Sequence, residues 1–152
     1  MTEGIDRRRF LRLGVFGAGL AVLGWFSRRV HRVTVLEAVA ARLFPFGTGE
    51  GPSPQTIATS ADAFLVELPR AMRWQFQGVL LGLEWSPILR HGHRFSRLDG
   101  PAQDAVLQKL STSRVYRKRQ AFSGLKQVCA MGTYQHDSTW PALAYPGPLL
   151  ER

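Results

Sequence analysis

Few side chains of this chain have the types and spacing for chemistry. His91 and His93 lie in SPILRHGHRFSRLD one residue apart, a spacing that can chelate a metal in an extended strand. No companion cysteine or carboxylate cluster stands near them, and His31 and His136 are remote in sequence, so solvated or hydrogen-bonded loop histidines are the plainer reading. Cys129 is the single cysteine, which cannot close an internal disulfide. It reads as a small buried hydrophobe, with pairing to another chain as the other use of its thiol. There is no CxxCH for covalent haem, no glycine-rich GxGxxG after a strand, no Walker loop and no zinc spacing. Acid/base catalysis needs titratable groups gathered in a pocket, and these histidines and scattered carboxylates show no recognisable spacing. No catalytic, cofactor-binding or metal-binding residue is assigned to this chain.

The densest signal is DRRRFLRLG, Asp6 to Gly14, in which three arginines run straight into Phe10 and Leu11. Residues Leu13 to Phe26 follow as 14 uncharged, mostly apolar positions. That length matches a signal-peptide core and falls short of the ~18–20 residues that span a bilayer. Gly14, Gly17, Gly19 and Gly24 weaken it further as a helix. The pattern resembles a bacterial twin-arginine export signal, a receptor-read address carried here by Arg7, Arg8, Phe10 and Leu11. Two guanidinium groups offer rigid forks to receptor carboxylates that lysine does not reproduce. An arginine-rich helix lying on the membrane is the competing reading. SRRVHRV after Phe26 is too bulky and basic for a close cleavage site, so a retained leader stays open.

The formal net charge of +9 suggests a nucleic-acid partner until it is divided. Residues 1–32 hold seven arginines against Glu3 and Asp6, so the leader accounts for more than half of the excess. Export also removes the chain from nucleic acid, and no nucleic-acid partner is expected. Beyond the leader the positive charge clusters in RVYRKRQ, Arg114 to Gln120. A solvated helix face explains that cluster most simply; an acidic partner or a membrane surface would also fit it.

The elements that position these residues read as helices. Thr34-x-x-Glu37 forms a capping-box pattern ahead of Leu36, Val39, Ala40 and Leu43, which predicts a helix from Thr34 to Phe44 stopped by Pro45. FGTGEGPSPQ reads as a surface loop, and Ser60 as the N-cap of a short second helix. Pro69 opens a third helix with Met72, Phe76, Val79, Leu80 and Leu83 at apolar spacing, ending near Trp85. Asp99 caps a fourth whose buried side is Ala105, Val106, Leu107 and Leu110. The fifth runs from Arg114 to about Gly132 with Val115, Phe122, Leu125, Val128 and Cys129 on one side. No alternating apolar run and no hairpin turn appears. The expected fold class is all-α: a small irregular bundle of about five helices after an N-terminal signal helix. Its parts are a leader over 1–32, a helical domain over 33–132 and an extended tail over 133–152.

The tail, MGTYQHDSTWPALAYPGPLLER, is rich in proline and aromatic residues and reads as non-helical. Its aromatics must pack on the domain or on a second protein. With the leader, the LFP ending of the first helix, the LL.LE and FS.L of the middle and the terminal TY....W..L.YPGP, the chain resembles the gluconate 2-dehydrogenase subunit 3 family. That resemblance spans most of residues 7–148. Its most specific part is Tyr134, Trp140, Tyr145, Pro146, Gly147 and Pro148, which it implies form a partner interface.

The resemblance implies a non-catalytic small subunit. FAD and the chemistry would belong to a large glucose–methanol–choline (GMC) type oxidoreductase, which would pass electrons to a multihaem cytochrome c subunit. The small subunit would carry the address that takes the folded, flavin-loaded partner through the twin-arginine translocase and would assist its maturation. The complex would work in the periplasm or on the outer face of the inner membrane. The alternative is a stand-alone membrane-associated helical protein with an uncleaved leader. A small enzyme is a third reading and requires a constellation that only the fold could assemble.

Overall fold

A computed structural model of the chain describes residues 32–45 and 51–141. Arg7, Arg8, Phe10 and Leu11 of the leader, and Tyr145, Pro146, Gly147 and Pro148 of the tail, lie outside the described residues. Among the described residues the fold is all-α, with five helices of 12 to 19 residues and no strand. They are α1 Arg32–Leu43, α2 Pro54–Glu67, α3 Arg70–Trp85, α4 Gly100–Ser111 and α5 Tyr116–Tyr134. A helical turn Ile88–His91 and a 3-10 turn Phe95–Arg97 join α3 to α4, and a second 3-10 turn, Asp137–Thr139, follows α5.

Local signals set most of the boundaries, though not always the expected ones. Thr34 lies inside α1, which already includes Arg32 and Val33, so the capping-box reading of Thr34 is corrected. The Ser60 N-cap is also corrected: α2 starts earlier, where Ser53 adopts extended backbone and its Oγ accepts from Thr56 N at 3.1 Å. Pro54 fills the first helical position, where a missing N–H costs nothing. Ser60 is instead an interior residue whose Oγ lies 3.1 Å from His136 Nε2. At the end of α2, Leu68 is extended, as the residue before a proline prefers, and Arg73 Nη2 donates to its carbonyl at 3.1 Å. Pro69 stands just before α3 as its N-cap, and α3 ends at Trp85 as expected.

The end of α5 departs from the sequence reading. The helix continues through Thr133 and Tyr134, and the 3-10 turn extends ordered backbone to Thr139. No proline occurs between Pro101 and Pro141, so the backbone donors stay available. The threonines reinforce it: Thr133 Oγ1 donates to Cys129 O at 2.8 Å and Thr139 Oγ1 to His136 O at 2.7 Å.

The core forms where α2 packs against both α1 and α5. Leu36, Val39 and Ala40 of α1, Ile57, Ala58, Ala61 and Leu65 of α2, and Leu125 and Cys129 of α5 are almost fully buried. Small residues bring α2 and α5 unusually close: a Cβ on Gly132 would stand 2.6 Å from Ile57 O and 3.1 Å from Ala61 N. Ion pairs brace the periphery. Arg32 holds Asp62 across α1 and α2, with Nη2 donating to Oδ2 at 3.2 Å. Arg42 grips Asp104 of α4 through two bonds, Nε to Oδ1 at 2.7 Å and Nη2 to Oδ2. That fork raises the Arg42 pKa and holds the Asp104 carboxyl below its usual range, chiefly through the hydrogen bonds themselves. Being exposed, the pair orients α4 more than it stabilises it.

A second knot joins the 3-10 turn to α3 and to α1 of that core. Glu84, near the end of α3, is 4% exposed, and its carboxylate accepts from Ser96 N at 3.0 Å and Ser96 Oγ at 2.7 Å. This pairing holds the 3-10 turn so that Phe95 is completely buried, and Gln103 Nε2 donates to Phe95 O at 3.2 Å. Arg94 stacks over the Trp85 ring at 4.5 Å. The LL.LE and FS.L segments, separate in sequence, are therefore one structural unit. Ser96→Ala removes one hydrogen bond to a buried charge and should destabilise the fold by about 1.5–3 kcal/mol, read as a lower urea midpoint. A change under about 0.5 kcal/mol would mean that the Ser96 hydroxyl adds nothing to the clamp.

Candidate functional site

An open groove of about 820 Å³ lies between α3, α4, the Ile88–His91 turn and the start of α5. Its floor is apolar, built from Val79 and Leu83 of α3, Val106 and Leu110 of α4 and Ala121 of α5. Its rim is cationic: Arg90 lies on the helical turn, Lys109 on α4, and Arg117 and Lys118 on the first turn of α5. No carboxylate lines it.

The helices open this groove because α4 is amphipathic over a wider arc than it buries. Of the four α4 residues expected in the core, only Leu107 is buried, joined by Gln103; Val106 and Leu110 are half-buried and Ala105 is exposed. Likewise Val115, expected on the buried side of α5, is 52% exposed. The basic cluster at the start of α5 faces the unfavourable end of the helix dipole. Arg119 partly offsets this by turning back, its Nη1 donating to Ser113 O at 2.6 Å and Arg114 O at 3.2 Å.

A second exposed surface lies on α3. Its buried residues, Leu80, Leu83 and Glu84, all fall in its last six positions. The first half leaves Trp74 69% and Met72 54% exposed, although Met72 belongs to the apolar periodicity expected to face the core. Two residues apart, these side chains point about 200° away from each other around the helix, so Trp74, the larger and more exposed, is the one candidate anchor on this half of α3.

Of the residues expected at the interface, Tyr134 and Trp140 are among the described ones. Tyr134 sits in the last turn of α5, 48% exposed and edge-on to Phe44 with ring centroids 6.3 Å apart. Trp140 is half-buried and its Nε1 donates to Tyr134 O at 3.4 Å. These two aromatics of the tail motif thus meet at the end of α5. His91 lies on the groove rim and His93 is exposed beyond it. No group of three or more potential metal ligands occurs among the described residues. Cys129 is buried, and desolvation pushes its thiol pKa up to about 12, which keeps it protonated and unreactive at neutral pH. Among the described residues no helix is long and apolar enough to cross a membrane.

Sequence reasoning missed the groove and the open half of α3. Amphipathic spacing tells which residues share a helix face but not whether a neighbour covers it. The chain matches no protein-family model, no curated protein and no solved structure in the comparisons made with each.

Proposed function

We propose that this chain is the small, non-catalytic subunit of an exported flavoprotein complex, serving as the export escort and maturation partner of a large FAD-dependent GMC-type dehydrogenase. The open half of α3 carries this reading: Trp74 stands exposed on a helix whose other half is anchored in the domain. A large aromatic on a rigid element is an effective interface anchor because it buries much area at little entropic cost. The N-terminal Arg7–Leu11 pattern supports the other half of the reading, because a folded flavoprotein needs a route that accepts folded cargo and an address on an associated chain. The flavin belongs to the partner, with a multihaem cytochrome c subunit as electron acceptor, and the complex operates in the periplasm or on the outer face of the inner membrane.

The interface has two parts in this proposal, the α3 surface and the tail motif from Tyr134 to Pro148. Trp74→Ala should lower recovery of the flavoprotein with this chain about tenfold, and Trp140→Ala with Tyr145→Ala should do the same, judged by affinity co-purification. Full recovery with both variants, each with unchanged helical circular dichroism, would exclude these surfaces as the interface.

A further inference from the structure

The groove between α3, α4 and α5 combines two features that the partner reading does not use. The first is charge. The segments Trp85 to Leu98 and Ala105 to Gln135 contain nine lysines and arginines and no aspartate or glutamate. Arg90, Lys109, Arg117 and Lys118 put part of this charge on the groove rim. The second is apolar exposure beside the charge. Leu89, in the helical turn that supplies Arg90, is 99% exposed, and Tyr116, beside Arg117, is 67% exposed. Salt bridges do not explain the cations, because the ion pairs among the described residues are at Arg32 and Arg42.

A ligand suited to this surface must be anionic where it meets the rim and apolar where it meets Leu89, Tyr116 and the floor. Anionic phospholipid combines both in one molecule. Its headgroup phosphate suits guanidinium and ammonium donors. A fully exposed leucine and a tyrosine flanked by cations are the side chains that settle at the headgroup and acyl boundary. An acidic protein segment would satisfy the cations but would leave no particular use for a leucine projecting wholly into solvent. We infer that the cationic groove between α3, α4 and α5 docks this domain on an anionic phospholipid surface, with Arg90, Lys109, Arg117 and Lys118 meeting headgroup phosphates and Leu89 and Tyr116 entering the interface. This contact uses other residues than the α3 surface assigned to the flavoprotein.

Vesicle sedimentation of the full chain tests the inference, comparing phosphatidylcholine vesicles with and without phosphatidylglycerol. Arg117→Gln with Lys118→Gln should weaken binding to the anionic vesicles about tenfold. Arg70→Glu, at an exposed position outside the groove, changes the net charge by the same amount and should weaken it less than about twofold. Leu89→Ser should weaken it several-fold, with the thermal midpoint unchanged in all three variants. Equal losses for the groove and Arg70 variants would reduce the effect to net charge and overturn the inference. Undiminished vesicle binding by the groove or Leu89 variants would also overturn it. Should the groove variant instead lose the flavoprotein while keeping vesicle binding, the groove is a protein interface.

Discussion

Replacing Gly132 by alanine lowers the thermal midpoint of the domain by about 10 °C, a loss of about 2 kcal/mol for a domain of this size. Two effects oppose each other. Alanine is the better helix former by about 1 kcal/mol, and on that ground alone the change would stabilise α5. Against it, the new methyl would fall 2.6 Å from Ile57 O and 3.1 Å from Ala61 N, both backbone atoms of α2. Backbone cannot swing aside as a flexible side chain can, so α2 and α5 must separate, and overpacking of this kind costs about 1–3 kcal/mol or more. Separation also loosens Leu125 and Cys129, whose burial depends on that approach. Overpacking therefore wins. Gly78→Ala and Gly82→Ala provide the contrast, because a Cβ at either position meets nothing within 4 Å. Those changes should raise stability by up to about 1 kcal/mol. Calorimetry of the three variants checks the sign of each, and a Gly132→Ala protein as stable as the parent would mean that the α2–α5 contact is looser than described.

On the proposed function, replacing Arg7 and Arg8 with lysines should leave the flavoprotein in the cytoplasm, with periplasmic dehydrogenase activity reduced at least about tenfold. Net charge is unchanged, so the test isolates geometry. Each guanidinium can make paired, charge-assisted hydrogen bonds to a receptor carboxylate, worth about 1.5–3 kcal/mol, whereas an ammonium offers a point charge without the fork. Fractionation followed by activity and immunoblot measurements reads the outcome. Normal export would count against the escort role while leaving the α3 interface to be judged by co-purification, so the two halves of the proposed function fail separately.

Several elements were legible because their causes are local. Leu36, Val39 and Ala40 recur at helical spacing and all three are buried in α1. Pro45 and Pro69 mark ends because a proline cannot donate and constrains the residue before it. The start of α2 was equally local, since Ser53 followed by Pro54 is a cap and a first helical residue, but its setting among glycine and proline made it read as loop. The continuation of α5 to Tyr134 was hidden by the proline content of the whole tail, although all three of its prolines lie at Pro141 or beyond.

Sequence alone thus determined the all-α class and most helix boundaries, because caps, prolines and apolar periodicity act through backbone bonds and neighbours within about one helical turn. Tertiary structure decided the rest. Gly132 could not be told from Gly78 or Gly82 until α2 lay against it. Glu84 became a buried clamp only because the chain returns Ser96 to its carboxylate. Val106 and Leu110 became groove floor, and Trp74 stayed exposed, through what the neighbouring helices leave uncovered. Burial and close approach depend on the arrangement of elements distant in the chain, and a helix face carries no local mark of the neighbour it will meet.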